Sequence, residues 1–234
     1  MFSFKTLSLA TAGALWLGFG VGTAQAATFK IFNTGVDNDG SALPDNSVDP
    51  HYTIPVSVNG PSNAFAVAAN PLYVSNSPTF KWIGPIPNAG NINVSPGLFT
   101  YRTTFELTGL DPNTAVLQGN LSSDNNTVNV LINGASTGIT SSSAGYTSLT
   151  PFSINSGFVN GINTLDFVVN NEDSPSGLLT EFTQATANAQ ATAVSVPEPS
   201  SALGTLAFGI LGAGYLLRRK LKKQMSISID TNVA

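Results

Sequence analysis

The sequence predicts an all-β fold, in which two antiparallel sheets with jelly-roll connections pack as a β-sandwich. Between residues 28 and 183, short runs with strand character recur at the spacing of about eight to twelve residues that is typical of sandwiches. Asn, Gly, Pro and Ser, which favour turns, separate these runs. No run in this region has the 3.6-residue period of an amphipathic helix.

The run from residue 99 to 107 has the clearest strand pattern. Its large or apolar positions alternate with polar ones, and they are Phe99, Tyr101, Thr103, Phe105 and Leu107. A period of two marks a strand with one buried and one solvated face. Arg102 lies on the solvated face, and we expect it to form a cross-strand salt bridge there.

The other predicted strands are shorter and complete one domain over residues 27–183. They are, in chain order, 29–32, 52–58, 64–68, 80–83, 115–121, 127–132, 153–154, 165–169 and 178–183. Asn133-Gly134 predicts a tight hairpin turn. Residues 35–50 hold four aspartates without apolar periodicity, which predicts a long loop over the sandwich or at its edge. Residues 184–196 lack pattern and bulk, so we interpret them as a flexible linker.

Both ends of the chain have the composition of targeting segments. Residues 1–26 combine Lys5, an apolar run and Ala24-Gln25-Ala26, which together predict a signal peptide cleaved near Ala26. Residues 201–217 carry no charge and form about 26 Å of helix, close to the roughly 30 Å of a bilayer core. Five cations follow directly, so we expect this helix to span the membrane and residues 224–234 to form a cytoplasmic tail.

The charge composition excludes several classes of function. Only 9% of the residues are charged, against roughly 25% in an ordinary soluble domain. Residues 28–196 contain three cations and eleven anions, a net charge of −8, so a nucleic-acid partner is not expected. Cysteine is absent and there is one histidine, which excludes disulfide scaffolds and thiolate metal sites. Solubility therefore rests on neutral Asn, Ser and Thr side chains.

The C-terminal region resembles the PEP-CTERM sorting signal of exported bacterial proteins. Three parts carry the resemblance: Pro197-Glu198-Pro199, the apolar span, and the basic cluster that begins with Arg218, Arg219 and Lys220. The resemblance implies processing by an exosortase-type transpeptidase. It also implies export through the inner membrane, a transient membrane anchor, and a final location at the cell surface or outside the cell.

The exported region is similar to a group of PEP-CTERM β-sandwich proteins, and to the galactose-binding-like jelly rolls of carbohydrate-binding modules. The matching segments include Asp49-Pro50-His51-Tyr52, Trp82-Ile83, Tyr101-Arg102-Thr103-Thr104-Phe105, and Val130-Leu131-Ile132-Asn133-Gly134. The resemblance implies a galactose-binding-like fold and assigns no activity.

Two places have residues suited to a sugar ligand. Asp124, Asn125 and Asn126 lie between two predicted strands, where their side chains could hydrogen-bond sugar hydroxyls. An ordinary hairpin loop has the same residue types, and we favour that interpretation. Trp82 could stack on a sugar ring, although a core position is favoured for a tryptophan in a β protein.

One segment has the beginnings of a metal site. Asp37 and Asp39, followed by Gly40, resemble the start of a calcium loop, yet the later acidic ligands of such a loop are missing. A turn closed by an aspartate side chain is favoured, and structural calcium is the only cofactor considered. We predict no catalytic residues, because neither a G-x-S-x-G motif nor a cysteine is present and His51 is interpreted as structural.

These features together predict an exported, non-enzymatic β-sandwich that binds or organises surface exopolysaccharide. Two alternatives stay open. The first is a matrix protein that self-associates through its sheet edges without a ligand. The second, which is less favoured, is a glycan-active hydrolase, since the eleven acidic residues contain chance pairs of carboxylates.

Overall fold

The computed structural model describes residues 25–173, 175–190, 215–216, 218–220 and 222. The chain divides into two compact units, Met1–Ala191 and Thr192–Ala234. The first unit contains all the strands described below. Of the predicted signal peptide only Gln25 and Ala26 are described, and the linker beyond residue 190, Pro197-Glu198-Pro199 and the tail 224–234 lie outside the described residues.

The described residues form eleven antiparallel strands in one continuous sheet. The strands are β1 (Ala26–Thr28), β2 (Val48–Ser57), β3 (Ser62–Ala66), β4 (Ile83–Gly84), β5 (Gly97–Glu106), β6 (Val116–Asp124), β7 (Asn126–Ile132), β8 (Ala135–Ser136), β9 (Thr150–Ile154), β10 (Ile162–Asn171) and β11 (Gly177–Asn188). Their order across the sheet is β8-β7-β10-β5-β2-β3-β4-β11-β6-β9, and β1 pairs with the end of β11.

The sheet curls so that its two ends face each other across one core. Phe152 in β9 meets Phe167 in β10, with 6.0 Å between the ring centroids. Phe29, just after β1, stacks on Phe105 in β5 at 5.1 Å. Each pair joins strands that are far apart in the sheet order, and the side chains between them are fully buried. The all-β prediction is confirmed, and the two facing layers are compatible with a sandwich.

The strand predictions succeed where alternation is strong and fail where it is weak. In β5, Phe99, Tyr101 and Phe105 are buried, and the guanidinium of Arg102 donates two 2.7 Å hydrogen bonds to Asp166 directly opposite. The salt bridge predicted for Arg102 is therefore confirmed. In contrast, residues 29–32 form no strand, because the first pairing to β11 comes earlier, over Ala26–Thr28.

The hairpin predicted at Asn133-Gly134 is confirmed. Asn133 and Gly134 both have positive φ, 51° and 79°, and they join β7 to β8. Two successive residues in the left-handed region are what a two-residue hairpin turn requires, since its twist must match that of the strands.

The predicted start of the linker is wrong. β11 continues through residues 184–188, Ala189 bridges to Leu110, and the amide of Gln190 donates to the Gly109 carbonyl. In this part of the sheet β11 is paired on both sides, with β6 on one and β1 on the other. It therefore needs no alternating apolar pattern in its sequence to remain a strand. Backbone pairing therefore fixes this part of the strand with little apolar burial.

The described C-terminal residues are helical and exposed, and they include Arg218, Arg219 and Lys220 of the sorting signal. Within the described part of the chain, no helix is long and apolar enough to cross a membrane. Of the predicted span 201–217, only Tyr215 and Leu216 are described.

Candidate functional site

The acidic turn that suggested calcium is closed by its own backbone. Oδ1 of Asp37 accepts hydrogen bonds from the amides of Asp39 (2.9 Å) and Ser41 (3.0 Å). Among the described residues there is no group of three or more His, Cys, Asp or Glu side chains that could hold a metal ion. The predicted ligands Asp37 and Asp39 thus lack a third partner, and the favoured turn interpretation accounts for Asp37.

Side chains within the domain hold the acidic loop, residues 35–50, in place. Lys81 forms an ion pair with Asp45 and donates a 2.9 Å hydrogen bond to the Leu43 carbonyl. Asp49, at the end of the loop, accepts a 2.7 Å hydrogen bond from the amide of Gly35 at its start. Burial raises the pKa of Asp49, and its bonds to the His51 and Gly35 amides oppose that rise. The loop is thus fixed to the sheet by side chains within the domain.

Trp82 is a core residue, as the favoured interpretation predicted, and its ring has no exposed face on which a sugar could stack. Its side chain is fully buried, its indole N–H donates a 2.7 Å hydrogen bond to the Val74 carbonyl, and its ring lies 4.5 Å from that of Tyr73. A tryptophan is stable in a core when its N–H finds an acceptor, which Val74 provides.

Asp124, Asn125 and Asn126 form a crossing between two parts of the sheet rather than a hairpin. Strand β6 ends at Asp124 and pairs with β11 and β9, whereas β7 begins at Asn126 and pairs with β10 and β8. The side-chain oxygen of Asn125 accepts a 2.6 Å hydrogen bond from the Glu172 amide. The segment is therefore neither the hairpin loop that we favoured nor an open loop that could bind a ligand.

The crossing is buried and polar. Asp124 is only 3% exposed and accepts a short hydrogen bond from the Tyr73 hydroxyl. Burial raises the pKa of Asp124, and the bond from Tyr73 opposes the rise. Ser122, Ser123 and Thr127 are fully buried nearby. The Ser122 hydroxyl donates to the Gly145 carbonyl, and the Ser123 hydroxyl bonds to those of Thr127 and Ser141. Of the predicted ligand residues, Asp124 and Trp82 thus meet at Tyr73 as buried residues, whereas Asn125 and Asn126 are half-buried.

An exposed depression lies on the outer face of β6 and β9, where the sequence analysis placed no site. It has a volume of about 430 Å³ and is open to solvent. Its lining carries no charge and combines polar with apolar residues, and it consists of Gln118, Gly119, Asn120, Pro151, Phe152, Ser153 and Thr183. Gln118 and Asn120 alternate with the buried Leu117 and Leu121, so their amides point outward.

The strand register arranges these outward groups in rows. Gln118 is opposite Ser153 on β9 and Gln184 on β11, and the next row pairs Asn120 with Pro151 and Glu181. The amide of Asn120 donates a 3.2 Å hydrogen bond to Glu181. The signal that could have found this face was the alternation of amides with leucines over residues 117–121, which the sequence analysis used only to predict a strand.

The chain matches one family model, described as the PEP-CTERM protein-sorting motif, over residues 195–220. This segment includes Pro197, Glu198 and Pro199 as well as Arg218, Arg219 and Lys220, the residues predicted as the sorting signal. No curated protein and no solved structure matches the chain.

Proposed function

Because the chain carries a PEP-CTERM motif, it is an exported, exosortase-sorted protein, and we propose that its sandwich binds surface polysaccharide without catalysis. The motif implies a C-terminal region that is anchored in the membrane transiently. The finer steps, release to the cell surface or matrix and contact with exopolysaccharide, belong to the proposal.

The observation that carries this proposal is the neutral, amide-rich depression over β6 and β9. Amide and hydroxyl groups both donate and accept hydrogen bonds, and sugar hydroxyls offer the complementary set. The domain's net charge of −8 disfavours an acidic polymer, and two of its three cations, Lys81 and Arg102, are paired with Asp45 and Asp166. A neutral polysaccharide therefore fits the depression best.

The absence of catalysis is part of the proposal. Glycoside hydrolysis uses two carboxyl groups that flank the scissile bond. The lining of the depression contains none, and the carboxylate of Glu181, which lies opposite Asn120 on β11, accepts a hydrogen bond from the Asn120 amide. Asp49, Asp124 and Asp166 are buried away from this face.

The test uses the exported protein, recovered in detergent from its host's envelope, and immobilised neutral exopolysaccharide from the same host. We expect retention that increased salt leaves unchanged, because the contacts are uncharged. No new reducing ends should form during prolonged incubation. A protein that passes through unretained contradicts the binding proposal, and newly formed reducing ends contradict the absence of catalysis.

A second candidate function, self-association, is favoured by an apolar area on β2 and β5. Val56, Val58 and Leu98 are 62%, 51% and 47% exposed, and the strand register places them near one another. Exposed clusters of this kind are frequent at protein interfaces. If the exported protein assembles in a concentration-dependent way without polysaccharide, and Leu98→Ser abolishes that assembly, this alternative is the better one.

A further inference from the structure

A second depression lies next to the first, between the start of the domain and β11. It has a volume of about 440 Å³ and is lined by residues 28–31 and 182–185. The amide of Phe29 donates a 3.1 Å hydrogen bond to the Ala185 carbonyl, and Thr28 pairs with Thr186. Backbone pairing to β11 thus holds the wall formed by residues 28–31 in place.

Thr183 lines both depressions. In the pairing of β11 with β6, Phe182 is opposite Gly119 and Gln184 is opposite Gln118, which leaves Thr183 as an extra residue. Such a bulge bends the strand and redirects side chains locally. Thr183 is exposed at the point where the two depressions meet, so a long ligand could pass over it from one to the other.

We propose that the two depressions are successive subsites for one linear, neutral polysaccharide chain, which crosses β11 over Thr183. This inference rests on the proposed function and adds the class of ligand, an extended chain bound along its length. The second depression supplies suitable groups: the exposed amide of Gln184 and the ammonium of Lys30. The Lys30 ammonium lies 4.4 Å from the centre of the Phe32 ring and donates one 3.3 Å hydrogen bond to the Asn38 carbonyl, and an ammonium has three donors. The Gln184 amide donates one 3.0 Å hydrogen bond to the Thr186 hydroxyl and keeps a second N–H and its oxygen.

The openness of both depressions favours a chain over a single sugar. Each depression lies within the range of about 300–1,000 Å³ that is common for ligand pockets, but both are open to solvent. An open subsite buries little of one sugar unit, so its affinity is low. Two adjoining open subsites bind a polymer more tightly, because the second contact becomes intramolecular.

The experiment measures the affinity of the exported protein for size-fractionated fragments of its host's neutral exopolysaccharide. We expect the affinity to increase at least tenfold from short fragments to those long enough to reach across Thr183. Gln118→Ala changes the first subsite, while Gln184→Ala and Lys30→Ala change the second. Asn63→Ala, an exposed amide on β3, is the matched control.

Gln118→Ala and Gln184→Ala should each weaken binding of long fragments about three- to tenfold, the effect of one lost neutral hydrogen bond. Lys30→Ala should weaken it at least as much, because its donor is charged, and Asn63→Ala should have no effect. Thermal unfolding confirms that the variants are folded. If Gln118→Ala weakens binding while Gln184→Ala and Lys30→Ala match the control, the second subsite is refuted and the proposed function stands. If the unmodified protein binds no fragment, both fail.

Discussion

The crossing at Asp124 and the outer face at Gln118 are both rich in hydroxyl and amide groups, yet they have opposite roles in the molecule. At the crossing, Ser122, Ser123 and Thr127 are fully buried, and each has a hydrogen-bond partner within the domain. On the outer face, Gln118 and Asn120 line an open depression. Polar residues at the crossing therefore have partners inside the protein, whereas those on the outer face are the ones that the proposed function assigns to a ligand.

The difference arises from how the chain continues after each segment. At Asp124 the chain leaves β6 and joins β7 in a distant part of the sheet, so the connection runs across the end of the core. Backbone and side-chain polar groups that become buried there must find partners, and short hydroxyl side chains supply them. Gln118 lies in the middle of a strand, where alternation alone turns it to solvent.

Trp82→Ala should have the largest effect and will test whether this aromatic residue stabilises the fold or binds a ligand. We expect it to lower the free energy of unfolding by about 3–5 kcal/mol, the usual cost of removing a large buried aromatic side chain. The loss includes the hydrogen bond to the Val74 carbonyl and the contact with Tyr73. Urea unfolding measures the change. A variant of unchanged stability that lost polysaccharide binding would instead support the stacking role.

Two buried carboxylates allow a sharper test, because they differ in their hydrogen-bond partners. Asp49 accepts backbone N–H groups at both oxygens, from Gly35 at 2.7 Å and His51 at 2.8 Å. In Asp49→Asn the side-chain oxygen still accepts from one of these amides, but the side-chain NH₂ faces the other amide, donor against donor. We therefore expect the free energy of unfolding to fall by about 1–3 kcal/mol. Asp124 accepts from the Tyr73 hydroxyl, which an asparagine oxygen can also do, so Asp124→Asn should cost much less.

The pH dependence of unfolding gives a further test of Asp124. The pKa of Asp124 is raised in the folded protein, so the native state holds its proton more tightly than the unfolded state does. This contribution to stability is present at pH values below the ordinary carboxyl pKa of 3.8, and it is lost as the pH rises through the higher folded value. Asp124→Asn should therefore reduce the decline in unfolding free energy from acid toward neutral pH. A decline equal to that of the unmodified protein contradicts this role for Asp124.

The sequence was sufficient to predict the strands with regular alternation, the Asn133-Gly134 turn and the sorting motif, because each depends on local residue order. It was insufficient for β11 beyond residue 183, whose stability comes from pairing with β1, a strand about 160 positions away. It also could not reveal whether Asp124 is a loop residue or a core residue. That depends on which strands β6 and β7 pair with, and this pairing is not encoded in the short segment between them.

Gln118→Ala should have the smallest effect on stability and will complete the comparison between the two regions. Its side chain lies on the solvated face of β6, so we expect the free energy of unfolding to change by no more than about 0.5 kcal/mol. Ser122→Ala at the crossing is the matched substitution on the same strand. It removes a buried hydroxyl that donates a 2.6 Å bond to the Gly145 carbonyl, and it should cost about 1–3 kcal/mol. Equal losses in the two variants would mean that the outer face is structural, since a surface kept for a ligand has no reason to stabilise the empty protein.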